Sequence, residues 1–170
     1  MHFLNVAVLA LLPLIPTVLS VPSRRDDTSG TISTPVNGAV IAPGAAFDFR
    51  YNTMADYGVT SYNYSVWLLT SMPTTFEQST NFAEGHFFGR FAEPNYPGMR
   101  VCNPSPKNPA PAQLIMPDFS KNPGGWGAGA SDSNGQFALV VMEEYANGSG
   151  SVGSRLALAV NSIVYNGTTS

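Results

Sequence analysis

Cysteine is nearly missing from this chain of 170 residues: Cys102 stands alone. An intramolecular disulfide is therefore impossible, and the fold must be held by packing. Cys102 is either an inert thiol or one half of an intermolecular disulfide joining two copies. Charge is scarce as well. Only 11% of residues are charged, with 8 basic against 11 acidic and a formal net charge of −3. A usual globular domain carries roughly 25%. With no basic cluster, nucleic acid and anionic membrane surfaces are excluded as partners.

Catalytic residue types are also thin. The histidines are His2 and His86. His86 alone could act as base in a Ser-His-Asp arrangement, and no G-x-S-x-G elbow accompanies it. Beside Gly85 and Phe87-Phe88 it reads first as a packed or edge-strand histidine, and second as a partner contact. Zinc sites take three or four His, Cys or carboxylate ligands, which the chain does not group. Asp132 and Asn134 could reach a calcium ion, but Asp132-Ser133-Asn134-Gly135 is first of all a turn. Glu143 and Glu144 are adjacent on an expected strand, so they point to opposite faces and cannot flank one glycosidic bond. Glu77, Glu84 and Glu93 are scattered, and surface charge accounts for all five. The chain is expected not to be an enzyme, with no catalytic residue, metal ligand or cofactor.

Long hydrophobic runs are absent except at the start. Val6 to Ile15 is too short to span a bilayer, which takes about 20 apolar residues. Pro13 and Pro16 oppose a buried helix, and small or β-branched residues precede a cut after Ser20. Residues 1–20 are expected to be a secretory signal peptide. Residues 21–30 are then a linker or short pro-segment carrying the dibasic pair Arg24-Arg25, and residues 167–170 a tail. His2 leaves with the signal, which removes it from any metal site. Sequons at Asn63, Asn147 and Asn166 are candidate glycosylation sites on a secreted, extracellular product. The C-terminus carries no apolar tail, so no glycolipid anchor is expected.

What remains, residues 31–166, is a single domain dense in turn signals. Phe47-Asp48-Phe49-Arg50-Tyr51 alternates and puts three aromatics on one strand face. From Ser61 to Leu69, Tyr62, Tyr64, Val66 and Leu68 fall on one side and Asn63, Ser65 and Trp67 on the other. His86 to Phe91 is a short aromatic strand interrupted by Gly89, and Gln113 to Met116 a short apolar one. Gln136 to Tyr145 and Arg155 to Tyr165 are the strongest strands, joined as a hairpin. Leu156, Leu158, Val160 and Val164 share a face. No helical period competes. The expected fold is all-β: an antiparallel Ig-like or fibronectin-like β-sandwich of about seven strands without a disulfide. Two loops stand out. Pro94, Pro97, Pro104, Pro106, Pro109 and Pro111 hold one in extended or irregular chain. The other sets Trp126 among Gly124, Gly125, Gly127 and Gly129, where the indole either plugs the core or meets a partner. Trp126, Tyr96, Cys102 and His86 are the candidate partner contacts.

Two resemblances follow. Ile32-Ser33-Thr34-Pro35-Val36-Asn37-Gly38, Ala42-Pro43-Gly44 and Phe47 to Tyr51 resemble the opening strands of the Ig-like module in yeast cell-wall glucan-synthesis proteins. Residues 31–166 as a whole resemble the fungal necrosis-inducing secreted effector family. The matching features are the Ile41-Ala42-Pro43-Gly44 turn, the Phe88-Gly89 step, and Asn161 ahead of Ile163-Val164-Tyr165. The second resemblance implies a non-enzymatic, secreted effector that binds host immune receptor kinases. The first implies a cell-wall or carbohydrate-associated module. The expected partner is accordingly a host protein or, alternatively, a cell-wall polysaccharide. Neither resemblance assigns site residues.

Overall fold

A computed structural model describes residues 30–55, 59–70, 84–92, 107–119, 134–147 and 154–165. The signal and dibasic segments, Tyr96, Cys102, Trp126 and Asn166 lie outside the described residues. Those described form strands and no helix. In chain order they are β1 (Thr31–Thr34), β2 (Ala39–Ile41), β3 (Ala46–Asp48), β4 (Arg50–Asn52), β5 (Val59–Leu69), β6 (Gly85–Phe91), β7 (Gln113–Ile115), β8 (Gly135–Asn147) and β9 (Arg155–Tyr165).

A five-stranded sheet runs in the order β2-β9-β8-β5-β6, and two ribbons pair β1 with β4 and β3 with β7. The expected hairpin of the two strongest strands is its centre: β8 and β9 pair antiparallel from Gly135↔Tyr165 to Tyr145↔Arg155. One buried cluster draws side chains from all nine strands, among them Ile32, Ile41, Phe47, Tyr51, Val66, Phe91, Leu114, Leu139 and Ile163. The ribbons therefore cover one face of the five-stranded sheet, called here the inner face.

Among the described residues nine strands stand where about seven were expected, partly because Phe47 to Tyr51 is not one strand. All three aromatics are buried, as the alternation requires. The chain changes partners at Phe49, whose N–H donates to the Ala112 carbonyl at 2.9 Å, so β3 follows β7 while β4 follows β1. Pairing is not uniformly antiparallel either. β2 runs parallel to β9, with Val40 opposite Val164. The turn at Asn37-Gly38 fixes this edge: the Ser162 N–H donates to Asn37 Oδ1 at 2.6 Å, and the Gly38 N–H donates to the Ser162 carbonyl at 2.7 Å. Gly38 has φ of 81°, a conformation glycine reaches without steric cost. Asn161 ties β1 and the turn after it to the same strand. Its side-chain amide donates to the carbonyls of Ile32 at 3.2 Å and Pro35 at 2.9 Å.

Two irregularities re-aim side chains. Between Ser61 and Asn63 the β5–β8 register shifts, with Ser61 opposite Tyr145 and Asn63 opposite Glu144. A bulge changes the strand's parity there. Tyr62, expected on the same side as Tyr64, is instead 45% exposed, and Ser61 takes the inward position. The second shift lies in β6, where Gly89 opposes Val66 and Phe87 opposes Trp67, leaving Phe88 as the extra residue. Gly89 has φ of 153°, and a Cβ there would meet the Phe91 ring at 2.7 Å. The Phe-Gly step is thus where the strand bends.

Candidate binding surface and the two carboxylates

Adjacent Glu143 and Glu144 point to opposite faces, as strand geometry dictates. The expectation of surface charge fails for Glu143, which is 0% exposed. Its carboxylate accepts from the Tyr51 hydroxyl at 2.6 Å and the Met54 N–H at 2.9 Å. Burying a carboxylate is costly unless hydrogen bonds replace its water, and these two supply that replacement. Gly30 closes over the site: a Cβ there would collide with the Tyr51 hydroxyl and stand 2.7 Å from Glu143 Oε2. These contacts tie β4 and the start of the described chain to β8. The sequence offered one signal for this, the alternation that sets Glu143 in phase with Leu139 and Val141. It was outweighed by the general preference of glutamate for water.

Glu144 faces outward, where Arg90 Nη2 donates to both of its oxygens at 2.6 Å. The two side chains are 34% and 51% exposed. The same face carries the neutral polar residues Asn63, Ser65, Gln136 and Ser162 beside an apolar centre. Across it the register aligns Phe87, Trp67, Val140 and Val160 in one row over four strands. The Trp67 and Phe87 rings pack with centroids 4.6 Å apart and planes tilted by 41°. Leu69, Ala138 and Val140 form a second buried cluster with Trp67, Leu158 and Val160 packed against it. Leu156, Leu158, Val160 and Val164 do share a face, and it is this one. The inward positions of β9 go to Ala159, Ile163 and Tyr165. Phe87 remains 48% exposed and Leu156 49%.

His86 lies on β6 opposite Leu68, half-buried, with its ring edge-on to Phe88 at 4.8 Å. Burial holds its pKa below the usual 6.5, because the charged imidazolium is poorly solvated there. It sits in an aromatic stack that continues to Phe47, whose ring centroid is 5.9 Å from that of Phe88. Asn63 is partly exposed at mid-strand opposite Glu144, and Asn147 is the last residue of β8. The remaining candidate contacts, Tyr96, Cys102 and Trp126, lie outside the described residues. Among the described residues, no three His, Cys, Asp or Glu side chains cluster as metal ligands.

The long connections have fixed roots. Leu69, the end of β5, pairs with Ala138 near the start of β8, and the Thr70 N–H donates to the Glu84 carbonyl at 3.1 Å. Thr70, Glu84 and Asn134, the described residues next to segments 71–83 and 120–133, therefore lie at the same end of the five-stranded sheet. Comparison with family models, curated proteins and solved structures returns no match.

Proposed function

We propose that this chain is a secreted binding protein of the effector kind, directed at host immune components. Its scaffold is read as an Ig-like β-sandwich, with the two ribbons as one layer and the five-stranded sheet as the other. The order β2-β9-β8-β5-β6 supports that reading, because variable-type immunoglobulin sandwiches extend one sheet in this way. The observation that carries the function is that Thr70, Glu84 and Asn134, which flank segments 71–83 and 120–133, lie at one end of the five-stranded sheet. Long connections held by a rigid scaffold are the usual carriers of recognition. The sequence supports the address through residues 1–20 and the Asn63, Asn147 and Asn166 sequons.

The test has two parts. The chain is expressed with its own leader in a secreting eukaryotic host, and recovery from the medium checks the address. The secreted protein is then immobilised and offered extracellular domains of host receptor kinases. Binding is expected, with loss when 71–83 and 120–133 are replaced by short Gly-Ser linkers. Equal binding by the linker variant, or none by the parent, rejects the proposal.

A second reading, a carbohydrate-associated module, is favoured by the exposed rings of Phe87 and Tyr62. Exposed aromatics offer an apolar face to a sugar ring. Retention on β-glucan or chitin that falls in Phe87→Ala and Tyr62→Ala would select this reading over the first.

A further inference from the structure

Two asparagines stand inside strands of the five-stranded sheet, and they are used differently. Asn161 on β9 is held in place, its amide donating to the Ile32 and Pro35 carbonyls. Asn63 on β5 is partly exposed on the outer face, and among the described residues nothing bonds to its amide. The bulge beside it turns two consecutive side chains outward. Ser61 and Tyr64 are buried, so Tyr62 and Asn63 between them share the outer side. An exposed ring therefore stands beside an unclaimed amide. Asn63-Tyr64-Ser65 is also an acceptor sequence for N-linked sugar, and its Ser65 lies on the same face.

We propose that Asn63 carries an N-linked glycan whose first sugar rests on the Tyr62 ring. The inference rests on the secretory address proposed above, because the donor is a lipid-diphosphate oligosaccharide of the secretory lumen. Asn63 Nδ2 bonds to the anomeric carbon of the first sugar, and the bond from that carbon to the diphosphate breaks. The diphosphate leaves with the electron pair, and the amide gives up one proton. Transfer precedes folding, so the strand is no obstacle to it. The fold decides only whether the bulky product can stay in water, and an outward Asn63 allows that. Tyr62 offers the apolar face of the sugar a flat ring with a polar tip. The Arg90–Glu144 pair crosses over β5 beside it, from Arg90 opposite Ser65 to Glu144 opposite Asn63, and meets the sugar hydroxyls. A Tyr62 ring so covered is closed to an outside polysaccharide, which leaves Phe87 for the carbohydrate reading.

The full chain is secreted from a eukaryotic host and treated with peptide N-glycosidase, which converts each sugar-bearing asparagine to aspartate. Peptide mass spectrometry then reads position 63, where conversion is expected in most of the protein. Ser65→Ala and Asn63→Gln should each abolish it, and Ser65→Thr should keep it. Loss of the sugar through Ser65→Ala should lower the melting temperature by about 3 °C, the scale of one ring contact in a domain of this size. Repeated on Tyr62→Ala, the same loss should cost below about 1 °C. A secreted parent unconverted at position 63 overturns the proposal. So does an equal drop in melting temperature with and without the Tyr62 ring. If the chain's own leader fails to export it, the address reading falls alone, and a borrowed leader still brings Asn63 to the same two measurements.

Discussion

The five-stranded sheet has two apolar faces with opposite treatments of charge. On the inner face Glu143 is taken wholly out of water and met by a hydroxyl and a backbone N–H. On the outer face Glu144 keeps its water and pairs with Arg90. The two residues are neighbours in sequence, so the strand's alternation alone separates them. Both faces hold buried apolar side chains, so apolar content does not tell them apart. What distinguishes the inner face is the layer of ribbons β1–β4 and β3–β7 that covers it. The matched pair of glutamates is the strongest handle on this difference. Glu143→Ala removes the acceptor of the Tyr51 hydroxyl and the Met54 N–H and leaves a cavity, which should cost about 4 kcal/mol in chemical denaturation. Glu144→Ala breaks an exposed ion pair and should cost below about 1 kcal/mol. Near-equal losses would erase the distinction.

Leucines give the apolar counterpart. Leu139 is fully buried on the inner face of β8, and Leu156 is half-exposed on the outer face of β9. Leu139→Ala should cost about 3 kcal/mol, the range for emptying a packed site. Leu156→Ala should cost about 0.5 kcal/mol. A loss at Leu156 as large as that at Leu139 would erase the comparison.

Much of this was legible from the residues. The alternation of Phe47, Phe49 and Tyr51 put three aromatics on one face, which is buried, and the β8–β9 hairpin followed from its β-branched runs and the Gly/Ser/Asn stretch between them. Three features were not legible, each for a physical reason. The exposure of Tyr62 depends on a bulge, and a bulge is a property of the pairing between two strands rather than of either one. The parallel placement of β2 depends on a long-range contact at Asn37 and Ser162, far apart in the chain. The sharing of leucines in β9 was read correctly, but a period of two says which residues stand together and not which face is covered. The candidate site shows the same limit. His86 was named and is found packed on an edge strand, whereas the Phe87–Trp67 contact came from register across β5 and β6.

Asn161 checks whether the inner layer is tied on by polar contacts as well as by packing. Its amide spans the Ile32 and Pro35 carbonyls, on either side of the cis Thr34–Pro35 bond. Asn161→Ala should cost about 1.5 kcal/mol and speed amide exchange in β1 and β2 more than in β5. Uniform acceleration across the sheet would mean that the tether carries no local role.

The smallest expected effect belongs to His86, at the edge where the two faces meet. Burial lowers its pKa in the folded chain, whereas unfolded chain titrates near 6.5. As pH falls through 6.5 the unfolded state takes up a proton before the folded state does, so stability is drawn away from the fold. The contribution of neutral His86 is therefore complete above 6.5 and declines below it. The shift is moderated because the ring is only partly buried against Phe88. His86→Gln should keep the fold while flattening this part of the profile. The melting temperatures of parent and variant should converge as pH is lowered from 7.5 to 5.5, since only the parent carries the histidine's loss. Carboxylates titrate equally in both proteins and cancel in the difference. A constant gap across that interval would mean that the imidazole is as well solvated in the folded chain as in the unfolded one. The edge of β6 would then belong with the open outer face rather than with the covered inner one.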